Sequence, residues 1–200
     1  MTLISIATTL ATNAGMKVPA SVIGNPAREW VEAHQFANEA GEELARRVDW
    51  GQLQASATLT GDGTNLAHAL PAGFARLNRG VAVMAGTSIV RPLTRQEWSR
   101  LVPAEGVPRY FLLESETLTL WPYLANAETV TVQYQSLNWC DNGTAAFVAD
   151  TDSPLVDEDL FAKALIVRWR RQKGMSFADE EAEYEAALQD FARFNDRSRF

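Results

Sequence analysis

The chain has 200 residues, and 46% of them are hydrophobic, so it is long enough to bury a real core as one domain or as two small ones. Its formal net charge of −7 argues against a surface built to grip nucleic-acid phosphates, because such binding needs clustered Lys and Arg side chains. The single cysteine, Cys140, cannot form a disulfide within the chain and suits a reducing compartment.

The first predicted element is a short helix over residues 2–14. Leu3, Ile6 and Leu10 keep helical spacing, and Gly15 is a typical stop. No positive charge precedes this stretch and threonines interrupt its apolar run, so we expect neither a signal peptide nor a membrane span here.

A second helix is predicted to begin with Asn25 as its cap and Pro26 at its first position. Two arginines, Arg46 and Arg47, mark its basic end, and Trp50 closes the segment. The inner face of this helix is predicted to carry Trp30, Ala33, Ala37, Ala40, Leu44 and Val48.

After Trp50 the hydrophobic pattern changes from helical to alternating, which is typical of strands. Turn residues interrupt this block at 61–65 and 141–143. Thr94 and Glu97 form the capping box of one short helix within it. The predicted strands cover residues 52–60, 81–84, 88–91, 109–113, 117–121 and 129–136.

The last fifty residues predict two helices that form an antiparallel hairpin. The first is expected to open within residues 149–154, with Pro154 at its first helical position, and to end at Gly174. Acids fill its first turn and arginines its last, which is the order that the helix dipole favours. The second opens at a capping box in residues 176–179.

Helices therefore flank a strand-rich block, and this segregation is the α+β pattern. We predict a discontinuous helical body made of residues 1–50 and 151–200, which contribute an N-terminal and a C-terminal helix pair. Residues 51–150 are predicted to form an antiparallel β domain inserted into that body.

No residue pattern predicts catalysis. His34 lies within an amphipathic helix and His68 in a turn-rich segment, and neither belongs to a known catalytic or metal-binding signature. Carboxylates suit Mg²⁺, so a metal-dependent hydrolase is the alternative function. Helix capping and the helix dipole explain the same positions better, and we predict no catalytic residue, no cofactor and no metal. The aspartates concerned are Asp150, Asp152, Asp157 and Asp159.

Contact surfaces are predicted at two tryptophans and at the C-terminus, and an exposed acidic face, turned toward the channel or the solvent, is predicted on the last helix. Trp98 and Trp139 are freer to meet a partner than the tryptophans on apolar faces of predicted elements. The basic tail is either a fraying helix end or a segment that orders on a partner. Its candidate residues are Arg193, Phe194, Arg197, Arg199 and Phe200. On the last helix we expect four exposed acids, namely Asp179, Glu180, Glu183 and Glu185.

A series of segments, taken in order along nearly the whole chain, carries a family resemblance. They are LISIA at 3–7, SVIGN at 21–25, EELARRVDW at 42–50, LPAGF at 70–74, RPLTRQEW at 91–98, ADTD at 149–152, RWR at 168–170 and KG at 173–174. In this order and spacing they resemble the head-to-tail adaptor proteins of tailed bacteriophages, the portal-bound neck component of short-tailed phages.

The resemblance implies a virion component of the neck or tail, without catalytic residues, that assembles in the host cytoplasm. Its expected partners are the portal protein, a tail nozzle or stopper protein and copies of itself in a ring, expected to be a dodecamer. Double-stranded DNA is expected to pass through the channel without specific binding, and no membrane is involved. A tail-completion or baseplate subunit is the alternative within the structural class.

Overall fold

The computed structural model describes the backbone of residues 1–197 and the side chains of residues 1–193. The chain divides into two compact units. The helical unit comprises Met1–Leu53 and Leu137–Phe200, and the strand-rich unit comprises Gln54–Ser136. The fold class is α+β, as predicted.

The helices and strands alternate in blocks along the chain. The described α-helices are α1 (Leu3–Ala14), α2 (Arg28–Arg47), α3 (Arg95–Trp98), α4 (Glu158–Gln172) and α5 (Ala178–Arg197), and a 3₁₀ turn covers Gly51–Leu53. The strands are β1 (Gln54–Thr60), β2 (Ala67–Ala69), β3 (Phe74–Leu77), β4 (Val83–Ala85), β5 (Ser88–Ile89), β6 (Arg91–Pro92), β7 (Tyr110–Glu114), β8 (Thr117–Trp121) and β9 (Thr129–Ser136).

The first helix is tied to a distant loop at its start and ends at a glycine. The amides of Leu3 and Ile4 donate to the carbonyl oxygens of Asp152 and Asp150, at 2.8 and 3.2 Å. These bonds satisfy two of the amides that a helix N-terminus leaves free. α1 ends as predicted, at Gly15, whose φ of 66° is in the left-handed region that favours glycine.

The second helix is set by a turn before it and by a glycine within it. The Asn25 side chain accepts a hydrogen bond from the Ala27 amide at 3.0 Å, and this turn delays the start of α2 to Arg28. The start predicted at Pro26 is therefore wrong. Gly41 lies directly against the indole of Trp139, where a Cβ atom would come closer than 3.0 Å to the ring.

The core of the helical unit contains a cluster of three aromatic rings, which we call the aromatic core. Trp139, Phe147 and Phe161 are buried together, with ring centroids separated by 4.9 Å for Trp139–Phe147, 5.7 Å for Trp139–Phe161 and 5.6 Å for Phe147–Phe161. Phe147 packs edge-to-face on both Trp139 and Phe161, and this is a geometry that aromatic pairs prefer. Nearby, α4 is buried on most of its circumference, so it is a central helix of this unit.

The fourth helix begins later than predicted. It starts at Glu158, and its cap is Asp157, whose carboxylate accepts a hydrogen bond from the Leu160 amide at 2.9 Å. The cap expected within residues 149–154 and the first helical position expected for Pro154 are both wrong. Pro154 instead lies in an isolated bridge to Cys140, within an irregular segment that precedes the helix.

The strand-rich unit contains two sheets. In the first, β9 pairs with β1, β3 and β4, and β5 extends the sheet from β4. The second has the strand order β2-β8-β7-β6. All of these pairs are antiparallel except β6 with β7, which is parallel.

Alternation along the strands builds the core of the strand-rich unit. Val130 and Val132 of β9, and Leu118 and Leu120 of β8, have no exposed surface, and their neighbours along each strand are more exposed. The predicted spans of β8 and β9 are confirmed. β2 and β3 were not predicted, because three- and four-residue strands carry too little alternation to detect.

Candidate functional site

Asp150 holds a distant loop in place. Its Oδ1 accepts hydrogen bonds from the amides of Val22 and Ile23, at 2.9 and 3.0 Å. The predicted role as a cap of α4 is therefore wrong, although the chemistry of accepting from free backbone amides is the one expected of an aspartate at such a position.

Asp152 closes a second loop and is itself buried. Its Oδ2 accepts from the Val148 amide at 2.7 Å, from the Asn142 side-chain amide at 2.7 Å and from the Ala149 amide at 2.9 Å. The hydrogen bond from Val148 is the largest cause that holds the pKa of Asp152 below its usual range. Among the described residues, no three His, Cys, Asp or Glu side chains are grouped so that they could hold a metal ion.

A recess of about 490 Å³ opens at the start of α4. Its apolar wall includes Trp50 and Phe191, whose ring centroids lie 5.8 Å apart. Asp159 is exposed there and makes no ion pair within the described part of the chain, whereas Glu158 pairs with the amino group of Met1. We call this feature the acidic recess and define it by Trp50, Leu155, Asp157, Glu158, Asp159 and Phe191.

Ion pairs join the three long helices of the helical unit. Arg168 of α4 bonds to Glu39, with its Nη1 3.1 Å from the Oε2 of that residue, and to Glu43, both on α2. Glu43 also pairs with Arg47 at 3.1 Å. Arg47 in turn forms a bidentate ion pair with Glu185 of α5, and both N–O distances are 2.6 Å. The chain of contacts therefore runs from α4 through α2 to α5.

Tyr184 of α5 lies inside this network. Its hydroxyl donates to Glu43 Oε1 at 3.4 Å, and the guanidinium carbon of Arg47 lies 5.8 Å from its ring centroid. Burial, and then the charge of Glu43, raise the pKa of Tyr184 to about 12. The hydrogen bond from Arg47 lowers the pKa of Glu185 and, reciprocally, the one to Glu185 raises the pKa of Arg47.

The four acids expected on the exposed face of the last helix are placed on α5, and none of them is buried. Asp179 and Glu183 are exposed, and Glu180 and Glu185 are half-buried. Three of the four pair with cations of the helical unit: Glu180 with Arg170 at 3.0 Å, Glu183 with Lys163 at 3.3 Å, and Glu185 with Arg47. This face is therefore partly neutralised rather than freely negative.

The predicted contact residues differ in how exposed their side chains are. Trp139 is fully buried, so its assignment to a contact surface is wrong: the indole fills the aromatic core beside Gly41. Trp98 is half-exposed at the end of α3. Arg193 is exposed and lies 3.9 Å from Asp190. The remaining candidates, whose side chains are outside the described residues, are Phe194, Arg197, Arg199 and Phe200.

A surface that the sequence reasoning missed is residues 91–109, which we call the arginine segment. Its two ends meet, because the Arg91 amide donates to the Arg109 carbonyl at 2.9 Å. Both arginines are exposed and neither makes an ion pair within the described part of the chain. Val102 and Val107 are 76% and 53% exposed. The only signal in the sequence was a pair of prolines beside these valines, which shows where a loop lies but not that its apolar side chains face water.

The histidines and the cysteine show no catalytic arrangement within the described residues. His34 Nε2 lies 3.0 Å from the Phe147 carbonyl oxygen, and His68 is half-buried. Burial lowers the pKa of His68 and raises the pKa of the Cys140 thiol. A thiol with a raised pKa is a poor nucleophile at neutral pH.

Residues 1–199 match the family model described as SU10 adaptor protein. The chain belongs to the SU10 adaptor protein family. In a direct comparison, no curated protein matches the adaptor. The family match agrees with the resemblance to bacteriophage head-to-tail adaptors, and it makes this adaptor a structural component of phage tail assembly.

For a structural adaptor, the functional parts are surfaces and the interactions that keep them rigid. The candidates in the SU10 family adaptor are the ion-paired helices α2, α4 and α5, the acidic recess and the arginine segment. None of the helices within residues 1–197 is long and apolar enough to span a lipid bilayer.

Proposed function

We propose that the adaptor forms a ring beneath the portal, extends the DNA channel and offers an attachment surface to the next tail component. The family match over residues 1–199 carries this proposal. The partners are then the portal protein, a tail nozzle or stopper protein and further copies of the adaptor. Twelve copies of the adaptor make up the ring. The ring lies in the neck of the virion after assembly in the host cytoplasm.

The rigidity of the helical unit supports a place in such a ring. A single exposed ion pair contributes little to stability, typically less than about 1 kcal/mol. Here the pairs form a connected network through the partly buried Arg168, and the helices also share the aromatic core around Phe161. A rigid subunit loses less conformational entropy when it joins a ring, and this favours assembly.

The distribution of charge supports passage of DNA without specific binding. The chain has 18 Lys and Arg residues and 25 Asp and Glu residues, and six of each group lie in the strand-rich unit. The helical unit therefore holds the remaining 12 basic and 19 acidic residues, which equals the whole net charge of −7. A negatively charged wall repels DNA phosphates and lets the duplex slide.

Electron microscopy of purified portal mixed with the adaptor tests the proposed assembly. An adaptor is expected to add a layer beneath the portal ring with the same rotational symmetry as that ring. A tail-completion or baseplate subunit would leave the portal unchanged, and portal images without an added layer would therefore refute the proposal. Portal alone, and portal with heat-unfolded adaptor, are the controls.

A gel-shift measurement with linear double-stranded DNA tests the channel surface. The adaptor is expected to leave the mobility of the DNA unchanged at physiological salt. Replacing the exposed acids Asp179 and Glu183 by lysine is expected to produce salt-sensitive retention, because it adds positive charge to an exposed face. Retention of DNA by the unmodified adaptor would contradict the proposed channel wall.

A further inference from the structure

The arginine segment is an exposed surface that lies beside two aromatic residues, Tyr110 and Trp121. Trp121 fixes it to the second sheet in two ways: its indole donates to the Val102 carbonyl at 2.7 Å, and its own carbonyl accepts from the Arg109 amide at 2.9 Å. The Trp121 ring also stacks on Tyr110, with centroids 6.0 Å apart. Arginine, tyrosine and tryptophan are the residues most enriched at the centres of protein interfaces.

The charge of this segment is positive, unlike that of the whole chain. Residues 91–109 contain four arginines and two glutamates, and one of those glutamates, Glu97, is engaged in the capping box with Thr94. Only one of the arginines, Arg95, has an ion-pair partner within the described residues, Glu114 at 3.0 Å. An acidic partner surface would therefore meet several arginines that are free to pair with it.

The acidic recess has the complementary character. Asp159 supplies an exposed carboxylate, and the Asp157 carboxylate uses only Oδ1 for its hydrogen bond to the Leu160 amide. Phe191, which is half-buried, provides aromatic surface beside these acids, and Leu155 is 37% exposed. A guanidinium can pair with carboxylates and stack on an aromatic ring at the same time, and an ammonium group does so less well.

We propose that the arginine segment of one copy docks into the acidic recess of a neighbouring copy. This inference rests on the proposed ring. A ring requires a head-to-tail contact, in which one patch meets a different patch on the next subunit. The two surfaces belong to different units of the same chain and carry opposite charge. Arg91 and Arg109 meet Asp159 and the free edge of Asp157, and Val102 and Val107 cover the apolar part beside Leu155.

A charge swap tests the contact. Asp159→Arg and Arg109→Asp are each expected to weaken ring formation on the portal by about tenfold or more, because each places like charges against each other. The two substitutions combined in one chain are expected to restore most of the loss, since every interface then regains an opposite pair.

Glu29→Arg is the matched control. Glu29 is an exposed acid in the first turn of α2, as Asp159 is in the first turn of α4, and it lies outside both surfaces. It is expected to leave ring formation unchanged. Circular dichroism of each variant checks that the fold is kept, and a second pair, Arg91→Asp with Asp159→Arg, provides the test if Arg109→Asp does not fold.

The outcomes separate this inference from the proposed function. Rings that form normally with Asp159→Arg and Arg109→Asp would overturn the contact and leave the adaptor function intact. Loss without recovery in the double variant would also overturn it. If the unmodified chain adds no layer to the portal, the ring itself is wrong and the contact falls with it.

Discussion

Gly41→Ala is a sensitive test of how α2 packs against the aromatic core. Alanine has the higher helix propensity, which by itself would stabilise the protein by about 1 kcal/mol. Against this, the added Cβ would come closer than 3.0 Å to three ring atoms of Trp139. That indole is fully buried against Phe147 and Phe161, so it has no room to move away.

The steric effect is therefore expected to exceed the gain in propensity. Overpacking of a well-filled core costs about 1–3 kcal/mol, and a contact this short with a confined ring belongs at or above the upper end. We expect a net destabilisation of about 2 kcal/mol. For a chain of this length that corresponds to a fall in melting temperature of roughly 4–8 °C.

Thermal and urea unfolding, followed by circular dichroism, measure the effect. Gly51→Ala is the matched control, because nothing lies within 4 Å of a Cβ at that position, and it is expected to be neutral or slightly stabilising. In the background of Trp139→Phe, Gly41→Ala is expected to cost less, since the smaller ring leaves space for the methyl group. A Gly41→Ala protein as stable as the unmodified chain would refute the packing described for α2.

Four further predictions follow from the described contacts. The hydrogen bond from Arg47 depresses the pKa of Glu185, so the stabilisation that Glu185→Gln removes is expected to be present above about pH 4.5 and to vanish as the pH falls through the lowered pKa. It is expected to stay below about 1 kcal/mol because both side chains are partly exposed. Equal melting temperatures of the variant and the unmodified chain at pH 7 would contradict this prediction. Absorbance at 295 nm should show one tyrosine ionising near pH 12 that is missing in Tyr184→Phe, and the stability that its raised pKa contributes should be present below about pH 10 and lost as the pH rises through 12. Asp150→Ala should lower the melting temperature more than Asp150→Asn, because asparagine keeps an acceptor for the amides of Val22 and Ile23. Excess Mg²⁺ should not raise the melting temperature of the unmodified chain or of either variant. A large rise with Mg²⁺ would support the hydrolase alternative. We also propose that the helical body and the inserted β domain fold independently, because each unit has its own hydrophobic core. Calorimetry should therefore resolve two unfolding transitions. A single cooperative transition would argue against separate domains.

The parts of the fold that were predicted correctly depend on nearby residues. The stop of α1 at Gly15, the Thr94–Glu97 capping box and the spans of β8 and β9 each follow from interactions or alternation within a few positions. The same local rules placed the start of α4 wrongly. Several acids in a row could each cap a helix, and only packing selected Asp157 among them.

The candidate surfaces were less predictable than the elements that carry them. Trp139 has no apolar periodicity around it, so nothing local shows that Gly41 and two phenylalanines enclose it. The sequence of the arginine segment shows a loop, and only the structure shows that Val102 is exposed and that Arg91 and Arg109 make no ion pair with the described residues. Both facts describe the surface of the folded molecule, and the spacing of residues in the sequence does not predict them.

The amino-acid sequence by itself determined the α+β class, most helices and strands, and the family resemblance, because these depend on patterns read within short windows or on the order of short segments. Tertiary structure decided which side chains are buried and what the aspartates do. Asp150 accepts from Val22 across 128 positions of the chain, and Arg168 meets Glu39 across 129. Contacts of that range form only when hydrophobic burial has brought the helices together, so no local pattern encodes them.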